Sequence, residues 1–229
     1  EKGELRALLD SYLAEIEKRQ TLVDELDADI WEQIDPLRIS QEDAETVDGL
    51  MARYAALRLE EQGMLKNVRS LLDAADVVQS LEDGVIPAAV FRNLRTTGET
   101  FVYHGLLPGD TPYTLTYDGA VLQSISAIDA GVRLSGGADA AEGAALQVEF
   151  LQSGSLNGPV TLETACSAAD GTYDLYWLNP DKLVIQNAGT ATVASGRLKM
   201  TVSIGGRYWL SKDIISLEGN TVSGVPVGV

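Results

Sequence analysis

His104 is the only histidine and Cys166 the only cysteine in the 229 residues. Nucleophilic catalysis of the Ser-His-Asp or Cys-His kind would have to use His104 as its base. It sits in Val102-Tyr103-His104-Gly105, at the end of a predicted strand, where a partly exposed strand residue is the plainer reading. One histidine and one cysteine cannot supply the ligands of an ordinary zinc site within one chain. Cys166 can form no intrachain disulfide and reads as a small buried apolar group. Paired carboxylates could hydrolyse glycosides. The acids available in the β region, Asp170, Asp174 and Asp181, lie in or near turns, where aspartate is favoured by the backbone alone. Acidic loops of this kind can take calcium, but no loop has the Asp-x-Asp-x-Asp-Gly spacing of an EF-hand. The chain therefore reads as a non-enzyme without a cofactor, with calcium as the weak alternative.

Gly136-Gly137 and Gly205-Gly206 lack the spacing and the following Lys-Ser/Thr of a phosphate loop and read as hairpin turns. Four aromatic residues are the candidate ligand platform. Trp177 and Trp209 would stack on sugar rings if exposed, although their strands read as core. Tyr113 and Tyr117 share one face of a predicted strand and form the second option.

Basic residues number 17 and acidic residues 34, for a net charge of −17. That balance excludes nucleic acid and anionic membrane surfaces as natural partners, because both repel an acidic protein. The acids are spread along the chain rather than gathered in a tail, so they read as a solvated surface. No run approaches the ~18 apolar residues of a membrane span. The sequence opens inside a helical pattern without a methionine, and the expectation is an N-terminal anchor or signal peptide absent from this chain.

The elements that must position these residues fall into two classes. Four glycines lie in residues 1–95 and eighteen in 96–229, which predicts helices first and strands later. Leu5, Leu9, Tyr12, Ile16, Val23, Leu26 and Ile30 step by fours and threes, with Arg19 filling one slot. That 3.5-residue period is a coiled-coil seam, widened by Leu8, Leu13, Leu22 and Ile34. Asp35-Pro36 interrupts it. Ser40, with Asp43 three residues on, opens a second helix. Val47, Leu50, Tyr54, Leu57, Met64, Val68, Leu71, Ala75 and Val78 form its seam, with Glu61 the one polar member. This helix is expected to run to Leu81, roughly 60 Å, and to stop near Asp83-Gly84. The two make an antiparallel hairpin over residues 1–84, with a parallel oligomeric coiled coil as the competitor. Residues 85–98 read as a connector.

Residues 99–229 read as β-rich, and they divide into possible modules at 99–130 and 131–217. Predicted strands include Thr100–Leu106, Tyr113–Tyr117, Leu122–Ile128, Val132–Leu134, Ala145–Leu151, Val160–Thr164, Thr172–Leu178, Leu183–Ile185, Ala191–Ala194, Leu198–Ile204, Tyr208–Leu210 and Ile214–Leu217. The alternation of Leu198, Met200, Val202 and Ile204 with polar residues gives one buried and one wet face, as in an antiparallel sandwich. The expected fold class is α+β, a helical hairpin followed by an Ig-like β-sandwich region.

Two resemblances add to this reading. Asp170-Gly171-Thr172-Tyr173-Asp174-Leu175-Tyr176-Trp177-Leu178-Asn179, then Gly196–Val202, then Gly206-Arg207-Tyr208-Trp209-Leu210-Ser211, resemble a β-sandwich module of cell-surface and secreted proteins of gut Firmicutes. Gly131–Gly136 and Leu146–Glu149 resemble its opening strands, so the likeness covers about residues 131–212. It implies a fold and an extracellular compartment, not a chemistry. Second, the coiled coil, Arg69–Leu72, Val85-Ile86-Pro87 and a strand ending at Gly105 are similar to inner-membrane alignment subunits of type IV pili. That likeness implies a ferredoxin-like domain with a helix over Pro112–Gln123.

The expected function is that of a non-catalytic surface protein. Its coiled coil would be a spacer or oligomerisation element, joining a protein partner or a second copy, and its β region an adhesion module. A membrane-anchored component of an envelope machine such as a type IV pilus is the alternative. A carbohydrate-binding accessory protein, with a surface glycan as partner, is third.

Overall fold

The computed structural model describes residues 2–136, 144–179 and 184–213. The chain divides into two compact units, residues 1–79 and 80–229. The coarse expectation holds: a long N-terminal helix precedes a mostly antiparallel β-sheet, an α+β chain. No helix among the described residues is long and apolar enough to cross a membrane.

In the first unit, α1 spans Lys2–Gln33 and ends where Asp35-Pro36 predicts. The Asp35 carboxylate accepts from Leu37 N at 3.0 Å and so shapes the turn. Ser40 and Asp43 form the predicted capping box: Ser40 Oγ accepts from Glu42 N, and Asp43 Oδ2 accepts from Ser40 N at 2.8 Å. The single second helix expected over 40–81 is not formed. Three segments replace it: α2 (Ala44–Ala56), α3 (Leu59–Gln62) and α4 (Val68–Glu82). Leu57 and Arg58 are extended, with ψ of 152° and 157°. Glu61 Oε2 accepts from Arg58 N at 2.8 Å and starts a new turn there. Asp27 of α1 then takes the N–H groups of Lys66 and Asn67, each at 2.8 Å. These sit at the start of α4, where helical N–H groups have no partner of their own. The seam changes phase across this break. Met64, a predicted seam residue, is exposed, and Leu65 is buried in its stead.

The core of this unit joins Val23, Leu26, Ile30 and Ile34 of the first helical segment to Val47, Leu50, Leu65, Leu71, Ala74 and Val78. Asp29–Arg53 and Arg19–Glu61 contacts show α2 and α3 running back along α1, and Asp27–Asn67 shows α4 returning. The hairpin is therefore short and doubled, and it covers α1 only from about Arg19 onward.

In the second unit, the stretch expected as a connector holds β1 (Val85–Ile86) and α5 (Ala88–Thr97). Val90, Phe91 and Leu94 give α5 a buried face, and Gly98 closes it in the left-handed conformation, φ 69°. β2 (Thr100–Leu107) and β3 (Thr111–Asp118) form a hairpin. Pro112–Gln123 is thus strand and a short 3₁₀ turn, not the helix of the pilus likeness. Leu122–Ile128 is not a strand either. Only β4 (Ile128–Asp129) forms, paired with β1. The rest is held by side chains, described below.

β5 (Val132–Gly136), β6 (Leu146–Ala165), β7 (Gly171–Asn179), β8 (Val184–Ala194) and β9 (Arg197–Ser211) complete one seven-stranded antiparallel sheet. Its order is β2-β3-β6-β9-β7-β8, with β5 on β6 and β8 also on β9. Predicted strand pairs fuse into the long β6, β8 and β9. β6 meets β3 and β9 along residues 160–165 and β5 and β9 along 146–150, with bulges between. Bulges bend a strand locally, and here they separate the two paired stretches of β6. Ile214–Leu217 lies outside the described residues.

Candidate functional site

β9 follows its predicted alternation through Leu198, Met200 and Val202, all buried. The pattern then breaks. Ile204, expected in the core, is exposed, while Tyr208, Trp209 and Leu210 are all buried. Gly205 sits at the break. A Cβ there would lie 1.9 Å from the Gln152 carbonyl oxygen of the bulged β6, so only glycine permits this approach. The irregularity lies in β6, where Val160, Ser155 and Phe150 face Val202, Ile204 and Gly206, and β9 regains its alternation at Tyr208 and Leu210.

The same stretch of β9 borders a gap in the sheet. β8 pairs with β9 only from Ala191↔Met200 to Ala194↔Arg197. β7 pairs with β9 only from Asp174↔Ser211 to Trp177↔Tyr208. β9 residues 201–207 therefore have β6 on one side and no ladder partner on the other. β8 bows outward here: the Asn187 side-chain oxygen accepts from Gly189 N at 2.9 Å, and Gly189 has φ 107°. The result is a cleft of about 390 Å³ lined by Trp177, Gln186, Asn187 and Ala188 on one wall and Thr201–Ile204 with Tyr208 on the other.

Two aromatic side chains satisfy the backbone at this gap. Trp177 Nε1 donates to Gly205 O at 3.2 Å, and Tyr208 Oη donates to Ile204 O. Trp177 is half-buried, its ring edge fixed and part of its surface in the cleft. Burial drives the Tyr208 hydroxyl pKa well up, so it stays a neutral donor. No charged side chain lines the cleft. An indole beside side-chain amides and hydroxyls suits a neutral ligand with one apolar face and several hydroxyl groups.

The other predicted platform residues lie elsewhere. Trp209 is buried against Tyr176 and Ile185, with Nε1 donating to Gln147 Oε1 at 2.9 Å. Tyr113 is buried across Gly105, and its hydroxyl donates to Ala130 O at 2.7 Å. Tyr117 is fully buried, edge-on to Phe91 at 5.0 Å. All three are buried, and none of them lines the Trp177 cleft. Burial raises the pKa of the Tyr113 and Tyr117 hydroxyls. Gly205-Gly206, expected as a hairpin turn, lies within β9 opposite the bulged stretch of β6, and Gly137 lies outside the described residues.

His104 borders a shallower cleft of about 300 Å³ with Tyr113, Glu163 and Arg197. Glu163 is held by Lys199 at 2.7 Å. Cys166 is half-buried and free of any disulfide. Asp170 accepts from Ser195 N and Gly196 N at 2.9 and 3.1 Å, and these bonds hold its pKa below the usual carboxylate value. It clamps the β8–β9 turn. Asp174 sits in the β7 ladder, and Asp181 lies outside the described residues. Among the described residues no three His, Cys, Asp or Glu side chains converge to hold a metal ion.

Sequence reasoning missed Gln186, Asn187, Thr201 and Ser203, and no local motif marks them. Comparison with known protein families, curated proteins and solved structures finds no match to this chain.

Proposed function

We propose that the chain is a non-catalytic binding protein of the cell exterior. Its β unit takes a neutral, hydroxyl-rich ligand of the surface-glycan class in the Trp177 cleft, and its helical unit serves as a spacer and association element. The cleft carries the reading: an indole, two side-chain amides and three side-chain hydroxyls, with no charge among the lining residues of a chain at net −17. Indole faces stack on the C–H faces of sugar rings, and amides bond their hydroxyls. Absence of lining charge disfavours an ionic ligand, and nothing on the cleft walls supplies an acid–base pair. The cell-exterior assignment rests on the likeness of residues 131–212 to surface modules.

Titration calorimetry against a panel of neutral oligosaccharides tests this, using the chain and its Trp177→Ala and Asn187→Ala variants. The expected result is binding to one glycan class, weakened at least ~10-fold by either substitution, since loss of one good contact costs about 1.4 kcal/mol or more. Binding unchanged in Trp177→Ala, or no binding across the panel, would falsify the reading.

A further inference from the structure

The amino-terminal half of α1 is a helix without a cover. Leu5, Leu8, Leu9, Tyr12, Leu13 and Ile16 are each 48–67 % exposed. Val23, Leu26 and Ile30, further along the same seam, are buried by α2–α4. The apolar stripe does not stop where the cover stops, and its 3.5-residue spacing is that of a helix facing another helix.

We infer that residues 2–18 of α1 pair antiparallel with the same segment of a second copy of this chain. The inference rests on the association role given above to the helical unit, not on the Trp177 cleft. Three observations select this occupant. The first is area. Covering the six side chains would remove about 100 Å² each, roughly 600 Å² per chain and roughly 1,200 Å² per pair, the lower bound of a stable interface. The second is charge. Lys2, Arg6 and Lys18 nearly balance Glu4, Asp10, Glu15 and Glu17 within the segment, while the whole chain stands at −17. Two such arms can meet with little repulsion, which most other surfaces of this chain cannot.

The third observation sets direction. From Arg19 onward the seam is occupied by the chain's own α2–α4. In a parallel pair, residues 19–33 of the second copy would have to run through that space. An antiparallel pair puts the two α2–α4 bodies at opposite ends, and each arm, about 25 Å long, fills the other's open seam. Leu9 then faces Tyr12 of the second copy, and Ile16 faces its Leu5.

Sedimentation equilibrium of the intact chain tests the pairing, with the double variant Leu9→Glu/Ile16→Glu. Both sites are exposed, so unit folding is not at issue, and circular dichroism checks it. The wild-type chain is expected to be dimeric at tens of micromolar, and the variant to associate at least ~100-fold more weakly. Direction is read from cysteine pairs in a Cys166→Ser background. A mixture of Leu9→Cys and Tyr12→Cys chains should cross-link under mild oxidation, and Leu9→Cys alone should not. Self-cross-linking of Leu9→Cys overturns the antiparallel order. A monomeric wild-type chain overturns the inference, and if that monomer floats with phosphatidylcholine vesicles the face belongs to lipid. Neither outcome touches glycan binding by the Trp177 cleft, so the two readings fail separately.

Discussion

Arg19 and Glu61, the two polar residues that interrupt the two apolar seams of the helical unit, meet each other. Arg19 Nε lies 2.8 Å from Glu61 Oε1, with side-chain exposures of 23 % and 9 %. The Nε–H is not aimed along that line, so the contact is an ion pair rather than a straight hydrogen bond. The other Glu61 oxygen starts α3 by accepting from Arg58 N. One carboxylate thus fixes both where the chain turns back and where the cover of α1 ends.

Removing one partner should hurt more than removing both. Arg19→Met leaves a largely buried carboxylate without its cation and is expected to cost about 2 kcal/mol. Arg19→Met/Glu61→Leu should regain part of that loss. Urea unfolding followed at the helical circular-dichroism band measures both. Strict additivity of the two single changes would show that the pair is not coupled.

Asp27 carries a separate load. Its carboxylate accepts from Lys66 N and Asn67 N, and Asn67 Nδ2 donates to both the Asp27 carboxylate and its backbone carbonyl. Asp27→Ala should cost about 1–2 kcal/mol, as loss of a helix cap does, while Asp27→Asn should retain part of the effect. Faster amide exchange at Lys66 and Asn67 in Asp27→Ala is the local signature. Unchanged exchange there would discount the capping role.

The helical period, the stop at Asp35-Pro36 and the Ser40–Asp43 cap were legible because each is a local signal, read from residues at most four apart. The break at Leu57-Arg58 was not. Glu61 caps the new turn at Arg58 locally, but the α4 start that completes the break is capped by Asp27, forty residues before Asn67, and no window of sequence contains both. The same limit applies to the β unit. Strand positions followed from alternation, but the break at Ile204-Gly205 depends on the Gln152 carbonyl from another strand. Trp177 could be named as a candidate by its type. Its neighbours Gln186, Asn187 and Thr201 could not, because only the gap in the ladder brings them together.

That break makes a sharp contrast testable within one strand. Val202 is 6 % exposed and Ile204 is 42 % exposed, two residues apart. Plain alternation would bury both. Val202→Ser should therefore cost about 2 kcal/mol and Ile204→Ser less than about 0.5 kcal/mol. Gly205→Ala should cost more than either, since its methyl would meet backbone. Thermal melts of the three variants decide it, and equal losses at 202 and 204 would contradict the break in the alternation.

Asp170 predicts a pH dependence. Its pKa is lowered in the fold by the Ser195 and Gly196 N–H groups. A group with a depressed folded pKa contributes stability above its unfolded value, about 3.9, and loses it as pH falls from there through the folded pKa. The wild-type chain should therefore melt at higher temperature than Asp170→Ala at neutral pH. The gap should narrow as pH drops below about 4. A gap that stays constant down to pH 3 would mean the charge plays no part.

Asn157 shows how one residue can replace a strand. It is fully buried, with φ 68°, at the bulge of β6. Its side-chain oxygen accepts from Ser124 Oγ, Ser126 N and Ser126 Oγ, and its Nδ2 donates to Ser126 O at 2.7 Å. Its backbone carbonyl accepts from Gln123 N and Ser124 N. Residues 123–126 are thus bonded to one side chain and its backbone rather than to a ladder, which is why the strand expected over Leu122–Ile128 does not form. Asparagine is also among the few residues that tolerate a positive φ. Asn157→Ala removes four bonds at once and adds backbone strain, for an expected loss of about 3 kcal/mol. Asn157→Asp should be nearly as harmful, because it puts an acceptor where Nδ2 donates to Ser126 O. Asn157→Gly, which relieves the strain but restores no bond, should fall close to Asn157→Ala if the hydrogen bonds dominate. Amide exchange across 123–126 in the alanine variant should then rise by far more than in β3, and equal protection in the two segments would locate the hold elsewhere.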